Sequence, residues 1–344
     1  MKVNIICGED LNAWIVGKFA RKLNDELDKM GIESGISKDS RPEADVNHYI
    51  LYDAFKNRQK SRVDTLMITH LDTPGKIHHI KKQLEIADMG VCMSSQTVEN
   101  LVNAGVPREK LCYINPAHDG LIKPRPVVIG ITTRVYPDGR KNEHYILDLI
   151  KHINPEDFKF KIMGDGWQNI VDAMKKNFFE VEYYENFDYE IYKELIPTLD
   201  YYLYVGKDEG QMGFVDALAA GVPTIVTPQG FHLDVVNGIT YPVDNFDDVL
   251  NAFNDIALKR RRLIDSVSNW TWEEYAKKHV RMWTVLLERG YRPATSQNAS
   301  PGPGAMLASR GRIWLELAIR GVFHRYFNRR GWFKRTRKKS SGYD

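Results

Sequence analysis

Residues 208–227 read DEGQMGFVDALAAGVPTIVT, and this stretch decides the fold. Acidic side chains and two glycines, Gly210 and Gly213, open a helix. Ala217, Leu218, Ala219 and Ala220 give it a small-residue face, Gly221-Val222-Pro223 stops it, and 224–227 follows as a buried-type strand. A helix that turns at once into such a strand is the repeating unit of a parallel sheet covered on both faces. The start of the helix carries N–H groups without intrahelical partners and a partial positive charge, which suits a phosphate. Glycines there let a ligand approach the backbone. A carboxylate one or two turns further on can accept hydrogen bonds from sugar hydroxyls. The stretch reads as a site for a phosphorylated sugar or nucleotide.

Working outward, the same alternation recurs along the chain. Strand-like runs at 3–7, 49–52, 66–69, 90–93 and 111–114 form one series. After Pro124 a second series runs through 127–132, 158–163, 181–184, 201–205 and 224–226. Helical patterns at 13–30, 98–104, 142–150, 170–176, 189–195 and 214–220 lie between them, and 247–259 and 271–288 add two more. Two such series predict an α/β chain with two tandem doubly wound, Rossmann-like domains, 1–124 and 125–290, facing a cleft in which ligands sit beyond the carboxyl ends of the strands. Pro, Gly and Ser make 291–305 a linker. Residues 306–344 form a basic tail that returns to amphipathic helical periodicity at 306–327.

Composition narrows the class. The three cysteines, Cys7, Cys92 and Cys112, sit far apart in apolar runs, which points to reduced, buried thiols and away from a disulfide framework or a zinc site. No run of 18 apolar residues can span a bilayer, and MKVNIIC is too short for a secretory signal, so a cytoplasmic protein is expected. The net charge of +3 conceals an asymmetry. Between 306 and 339 there are eleven Lys or Arg against one acid, Glu316, interleaved with Trp314, Phe323, Phe327, Trp332 and Phe333. That pattern suits the anionic inner face of a membrane. No recognisable nucleic-acid-reading module accompanies the charge, so nucleic acid is the weaker reading, and a solubilising tail is the plain one.

Several short motifs, in order, resemble those of retaining glycosyltransferases with the GT-B fold, the large group of the family 4 type. They are GITTRVYPDGRK at 130–141, GDG at 164–166, the acidic helix and Gly-Val-Pro stop at 208–223, the loop at 228–238, and the helix NWTWEEYAKKHVRMWTVLLE at 269–288. In the first half, Thr69-His70-Leu71-Asp72, ADMGVCMSS at 87–95 and GVPREKLCYINPAHDG at 105–120 fit more loosely. The chain departs from the pattern in three places. Glu209 and Asp216 are one position closer than usual, a spacing that Asp208 would restore. Asp216 replaces a Glu, and Asn142 stands where Gly follows the Lys.

The resemblance implies a transferase that takes a nucleotide-diphosphate sugar and adds it to a surface-glycan acceptor, lipid-linked ones included. Arg134 and Lys141, close to a helix start, would hold the diphosphate and stabilise it as it leaves; on spacing alone they are also ordinary surface charges. Glu209 and Gly210 would meet the donor sugar, and Asp216 the ribose. Gln211, Met212 and Gly213 would lend backbone N–H groups. The plainer reading of these acids is helix capping. His70 would line the donor site opposite, though a lone His is often structural. Gly8 would shape the cleft, and Gly164 would serve a tight turn beside the ligand. No D-x-D pair follows a strand-like run in the first domain, so no metal and no separate cofactor are expected. A nucleotide-sugar- or glycan-binding scaffold of the same fold, without catalysis, is the alternative.

Overall fold

The computed structural model describes residues 1–55 and 60–290. Residues Met1–Leu287 form one unit, within which two sheets lie.

The first sheet contains β1 (Lys2–Ile6), β2 (Glu33–Ser37), β3 (Val46–Tyr49), β4 (Val63–Ile68), β5 (Met89–Cys92) and β6 (Leu111–Tyr113). Its strands are all parallel, in the order β2-β1-β3-β4-β5-β6. Helices α1 (Ile15–Lys29), α2 (Pro74–Ile86) and α3 (Ser95–Asn103) connect them. The second sheet contains β7 (Val127–Ile131), β8 (Phe158–Met163), β9 (Glu180–Tyr184), β10 (Tyr201–Tyr204), β11 (Thr224–Val226) and β12 (Tyr241–Pro242). It is also parallel, in the order β12-β11-β10-β7-β8-β9. Its helices are α4 (His144–Leu149), α5 (Gln168–Lys176), α6 (Tyr189–Leu195), α7 (Met212–Ala219), α8 (Phe246–Asp265) and α9 (Trp272–Gly290). The described residues therefore form two tandem doubly wound, Rossmann-like sheets.

Both faces of each sheet are covered, and four apolar clusters result. On the second sheet α4, α5 and α8 cover one face, while α6 and α7 cover the other. On the first, α2 and α3 cover one face. The opposite face takes α1 together with α9, although α9 lies beyond the second sheet in sequence. Its stripe Trp272, Tyr275, Ala276 and Trp283 follows helical spacing, and all four side chains are buried among Val3, Phe19 and Leu23. The Trp283 indole N–H donates to the Thr65 hydroxyl at 3.1 Å. Full burial of one such side chain stabilises by about 1.5–3 kcal/mol, so this helix fastens the chain's second half to its first domain.

Several elements differ from the sequence reading, among them β12, which is additional, and α8, which runs six residues further. The strand expected at 49–52 is β3, three residues earlier, and a 3-10 turn follows at Tyr52–Ala54. β3 buries polar Asn47 and His48, whose partners Asn4 and Thr65 come from the neighbouring strands. Edge strand β2 and helix α2 are additional; both are largely polar and half exposed.

Each sheet has one place where its strand order reverses direction. In the second sheet, β7 and β10 lie side by side while their connections depart in opposite directions. In open sheets of this kind, ligands bind outside the carboxyl ends of the strands at that switch point.

Candidate functional site

The segments that leave β7 and β10 meet at the switch point, and the backbone after β7 is pinned on every side. The Thr132 carbonyl accepts the Gln211 side-chain amide at 2.6 Å. The Thr133 carbonyl accepts the Trp167 indole N–H, and the Val135 N–H donates to the Asp165 carbonyl at 2.9 Å. Arg134 stands at the centre of this fixed run. It is exposed and makes no ion pair among the described residues.

The ring of Tyr136 gathers three cations: the Arg134 guanidinium lies 5.9 Å from its centre, that of Arg140 3.9 Å, and the Lys141 ammonium 5.6 Å. The ring's negative face favours such a cluster. Arg140 also reaches the exposed Asp138 at 3.5 Å. The sequence reading named neither Tyr136 nor Arg140 as a site residue, although both lie inside the quoted motif.

Lys141 differs from the expectation of an open cation. It is buried, and its ammonium donates to the Asp208 carboxylate at 2.6 Å and to the Tyr204 hydroxyl at 2.8 Å. The same carboxylate accepts the Tyr204 hydroxyl and the Gly210 N–H. Burial works against the charged form of Asp208, but the hydrogen bonds from Lys141, Tyr204 and Gly210 outweigh it and hold the carboxyl below its ordinary range. Burial first, and Asp208 second, push the Tyr204 phenol well above its usual value. The sequence reading favours Glu209 over Asp208 as the first acid of the motif. Here Asp208 is the acid bound to the cation cluster, while Glu209 is exposed and makes no side-chain hydrogen bond or ion pair among the described residues.

Asn142 explains one departure from the motif pattern. Its φ of 48° is left-handed, a region that Asn enters more easily than most side chains. Its amide donates to the Val205 carbonyl at 2.7 Å, which ties the cationic loop to the end of β10.

Helix α7 follows β10 in the chain. Its N-cap is Gln211, whose backbone N–H donates to His232 Nε2 at 2.9 Å. His232 Nδ1 lies 3.0 Å from the Thr227 carbonyl, so a proton on Nδ1 and a lone pair on Nε2 satisfy both bonds. The Gln229 amide links the same loops, accepting from the Asp208 N–H and donating to the Gly206 carbonyl. Met212 is exposed at the first helical position. Neither Gln229 nor His232 was singled out from sequence, where nothing marks a buried polar brace.

Three of the expected glycines also meet a packing requirement. A Cβ on Gly213 would lie 2.3 Å from Thr132 Oγ1 and 2.4 Å from the Tyr202 hydroxyl. On Gly210 (φ 115°) it would lie 2.8 Å from the Phe231 ring, and on Gly164 (φ 140°) 2.2 Å from the Thr133 carbonyl. In these three Cβ directions protein atoms already stand, so the glycines permit close packing of the site loops. Gly8, just past β1, has open space around its Cβ direction.

Asp216 lies on the second turn of α7 and accepts the Tyr192 hydroxyl at 2.6 Å. The Tyr192 phenol is pushed well above its ordinary value, by burial and then by that carboxylate. His70 stands two residues past β4, exposed, with Nδ1 2.7 Å from the Thr69 hydroxyl and Nε2 3.7 Å from Asp72. His70 and Gly8 thus lie at the carboxyl ends of first-sheet strands, and the other expected residues cluster around β7, β8 and β10. Among the described residues no group of three or more His, Cys, Asp or Glu is placed to hold a metal ion, and no helix is long and apolar enough to cross a membrane. The basic tail at 306–344 lies outside the described residues.

No protein-family profile matches the chain, and no curated protein matches it. Similar solved structures include Anabaena HepE in complex with UDP and glucose, 14% identical with a TM-score of 0.34, covering 83% of this chain and 100% of that one. The lipopolysaccharide outer core galactosyltransferase WaaB is 13% identical with a TM-score of 0.34, covering 83% and 99%. Sucrose-phosphate synthase from Thermosynechococcus elongatus is 12% identical with a TM-score of 0.36, covering 84% and 100%. At identities and TM-scores this low, the chemistry has to be read from the side chains.

Proposed function

We propose that the chain is a glycosyltransferase that moves a sugar from a nucleotide-diphosphate donor to a surface-glycan acceptor, with retention and without a divalent ion. One observation carries this reading: at the switch point of the second sheet, the exposed Arg134, without an ion pair among the described residues, follows a backbone segment that is bonded to the start of α7 through the 2.6 Å contact between Gln211 and the Thr132 carbonyl. Arginine and a helix start both favour a diphosphate. Negative charge grows on that group as the glycosidic bond breaks, so positive groups already in place stabilise the transition state more than the ground state. Arg140 adds to the same field. Glu209 and Asp216 are exposed residues, and their carboxylates can accept hydroxyl hydrogen bonds from sugar and ribose. His70 would approach the donor sugar from the first domain.

The direct test incubates the purified chain with a panel of nucleotide sugars, with and without glycan acceptors, and measures released nucleoside diphosphate. Acceptor-dependent release that persists in EDTA is expected. Binding without turnover would select a non-catalytic scaffold, and isomerisation of the donor alone an epimerase; no turnover together with no nucleoside diphosphate binding would defeat the reading.

We also propose that the tail holds the enzyme at an anionic membrane surface, where lipid-linked acceptors reside, on the strength of its eleven basic residues and interleaved aromatics between 306 and 339. Truncation after Gly290 should remove binding to anionic vesicles; undiminished binding would contradict this.

A further inference from the structure

The pairing of Lys141 with Asp208 was not expected from sequence, and it bears on how the proposed donor site works. Lys141 is 6% exposed, and two of its three ammonium protons are spent on Asp208 and Tyr204. A phosphate that takes the stronger of these two bonds has to do so where a carboxylate already stands. Asp208 is itself well supplied without Lys141, because the Tyr204 hydroxyl and the Gly210 N–H both donate to its Oδ1. Its backbone is braced by Gln229, and Lys141 is braced by its neighbour Asn142 on Val205. Either partner can leave the other without losing its own anchorage.

We propose that Asp208 is an intramolecular competitor for the donor's phosphate, its carboxylate and a phosphate oxygen taking turns on the Lys141 ammonium. This inference rests on the proposed donor site. When the diphosphate binds, Lys141 Nζ exchanges Asp208 Oδ2 for a phosphate oxygen. When the sugar has been transferred, return of Asp208 helps to expel the nucleoside diphosphate. The arrangement trades affinity for release, which favours turnover where product departure is slow.

The test measures equilibrium binding of UDP, ADP, GDP and TDP to the full chain, follows the tightest binder, and repeats the measurement with pyrophosphate as a base-free probe. Asp208→Asn keeps the shape and the Tyr204 bond but removes the charge. A hydrogen bond to a charged group contributes about 1.5–3 kcal/mol, so its loss as a competitor should tighten binding by about tenfold or more. In a Lys141→Met background the same substitution should change affinity less than about twofold, because the competition acts through that ammonium. Ligand-induced thermal stabilisation gives a second measure, larger for Asp208→Asn at equal ligand concentration. Asp208→Ser repeats the experiment if the Asn variant folds poorly. Unchanged or weaker binding by the neutral variants would overturn the inference, as would an equal gain without Lys141, which would indicate only a general field. Absence of binding by the unaltered chain to any of the probes would instead overturn the donor-site reading on which it depends.

Discussion

Gly213→Ala sets two well-characterised effects against each other at the heart of the site. In an exposed helix interior, Ala is more stable than Gly by about 1 kcal/mol. Here the new methyl group would lie 2.3 Å from Thr132 Oγ1 and 2.4 Å from the Tyr202 hydroxyl. Those oxygens are 3.1 Å apart and hydrogen-bonded to each other, and Tyr202 is fully buried. Neither side chain can rotate away without leaving a buried hydroxyl unpaired, which costs about 1–3 kcal/mol. Overpacking of this kind costs about 1–3 kcal/mol in its own right. The clash therefore outweighs the helix preference, and a net loss of about 1–3 kcal/mol is expected in urea unfolding at 25 °C. The alternative relaxation lifts the start of α7 off Thr132 and stretches the Gln211 bond, so nucleoside diphosphate affinity should fall with stability. Gly8→Ala, with open space at its Cβ, serves as the control and should be close to neutral. A Gly213→Ala protein as stable as the parent, with unchanged affinity, would refute the packing argument.

Other outcomes follow from the same geometry. Arg134→Ala and Lys141→Ala should each reduce turnover by about 100-fold, as loss of a charge-stabilising donor typically does; unchanged steady-state rates in both would exclude the diphosphate assignment. Asn142→Ala should cost about 1–3 kcal/mol in denaturant unfolding, because Ala is strained at φ 48° and the Val205 carbonyl loses its donor, while Asn142→Gly should relieve the strain and lose only the bond. Burial holds the His279 imidazole down at about 4, from an ordinary 6.5, and holds His48 well below its usual value. A lowered folded-state value means that the unfolded chain takes up protons first as pH falls. Stability is therefore complete above about pH 6.5 and declines toward pH 4, by on the order of 3 kcal/mol from His279. Thermal melts across that range check this, and a flat profile would count against neutral, buried imidazoles where α9 meets β3.

What could be read from sequence, and what could not, divides along physical lines. β8 and β11 match their expected limits, because alternating or continuous apolar residues end there at Gly or Pro turns. β3 was displaced because VNHY looks polar; only neighbouring strands reveal that Asn47 and His48 have partners inside the core. α2 was passed over because PGKIHHIKKQLEI has a weak apolar stripe, with only Ile80, Gln83 and Leu84 buried. Within the site, the charges were legible and the pairings were not. Nothing in a linear motif shows that Lys141 faces Asp208 across 67 positions, or that Thr132 leaves no room for a Cβ at Gly213. The brace through Gln229 and His232 was equally invisible, since buried polar groups show their purpose only through their partners.

The most direct measurement is a crystal structure of the chain with its tightest-binding nucleoside diphosphate. The expected result places the two phosphates between the Arg134 guanidinium and the first turn of α7, with Lys141 turned from Asp208 toward a phosphate oxygen. A diphosphate bound elsewhere, with Arg134 still in solvent, would contradict the central claim.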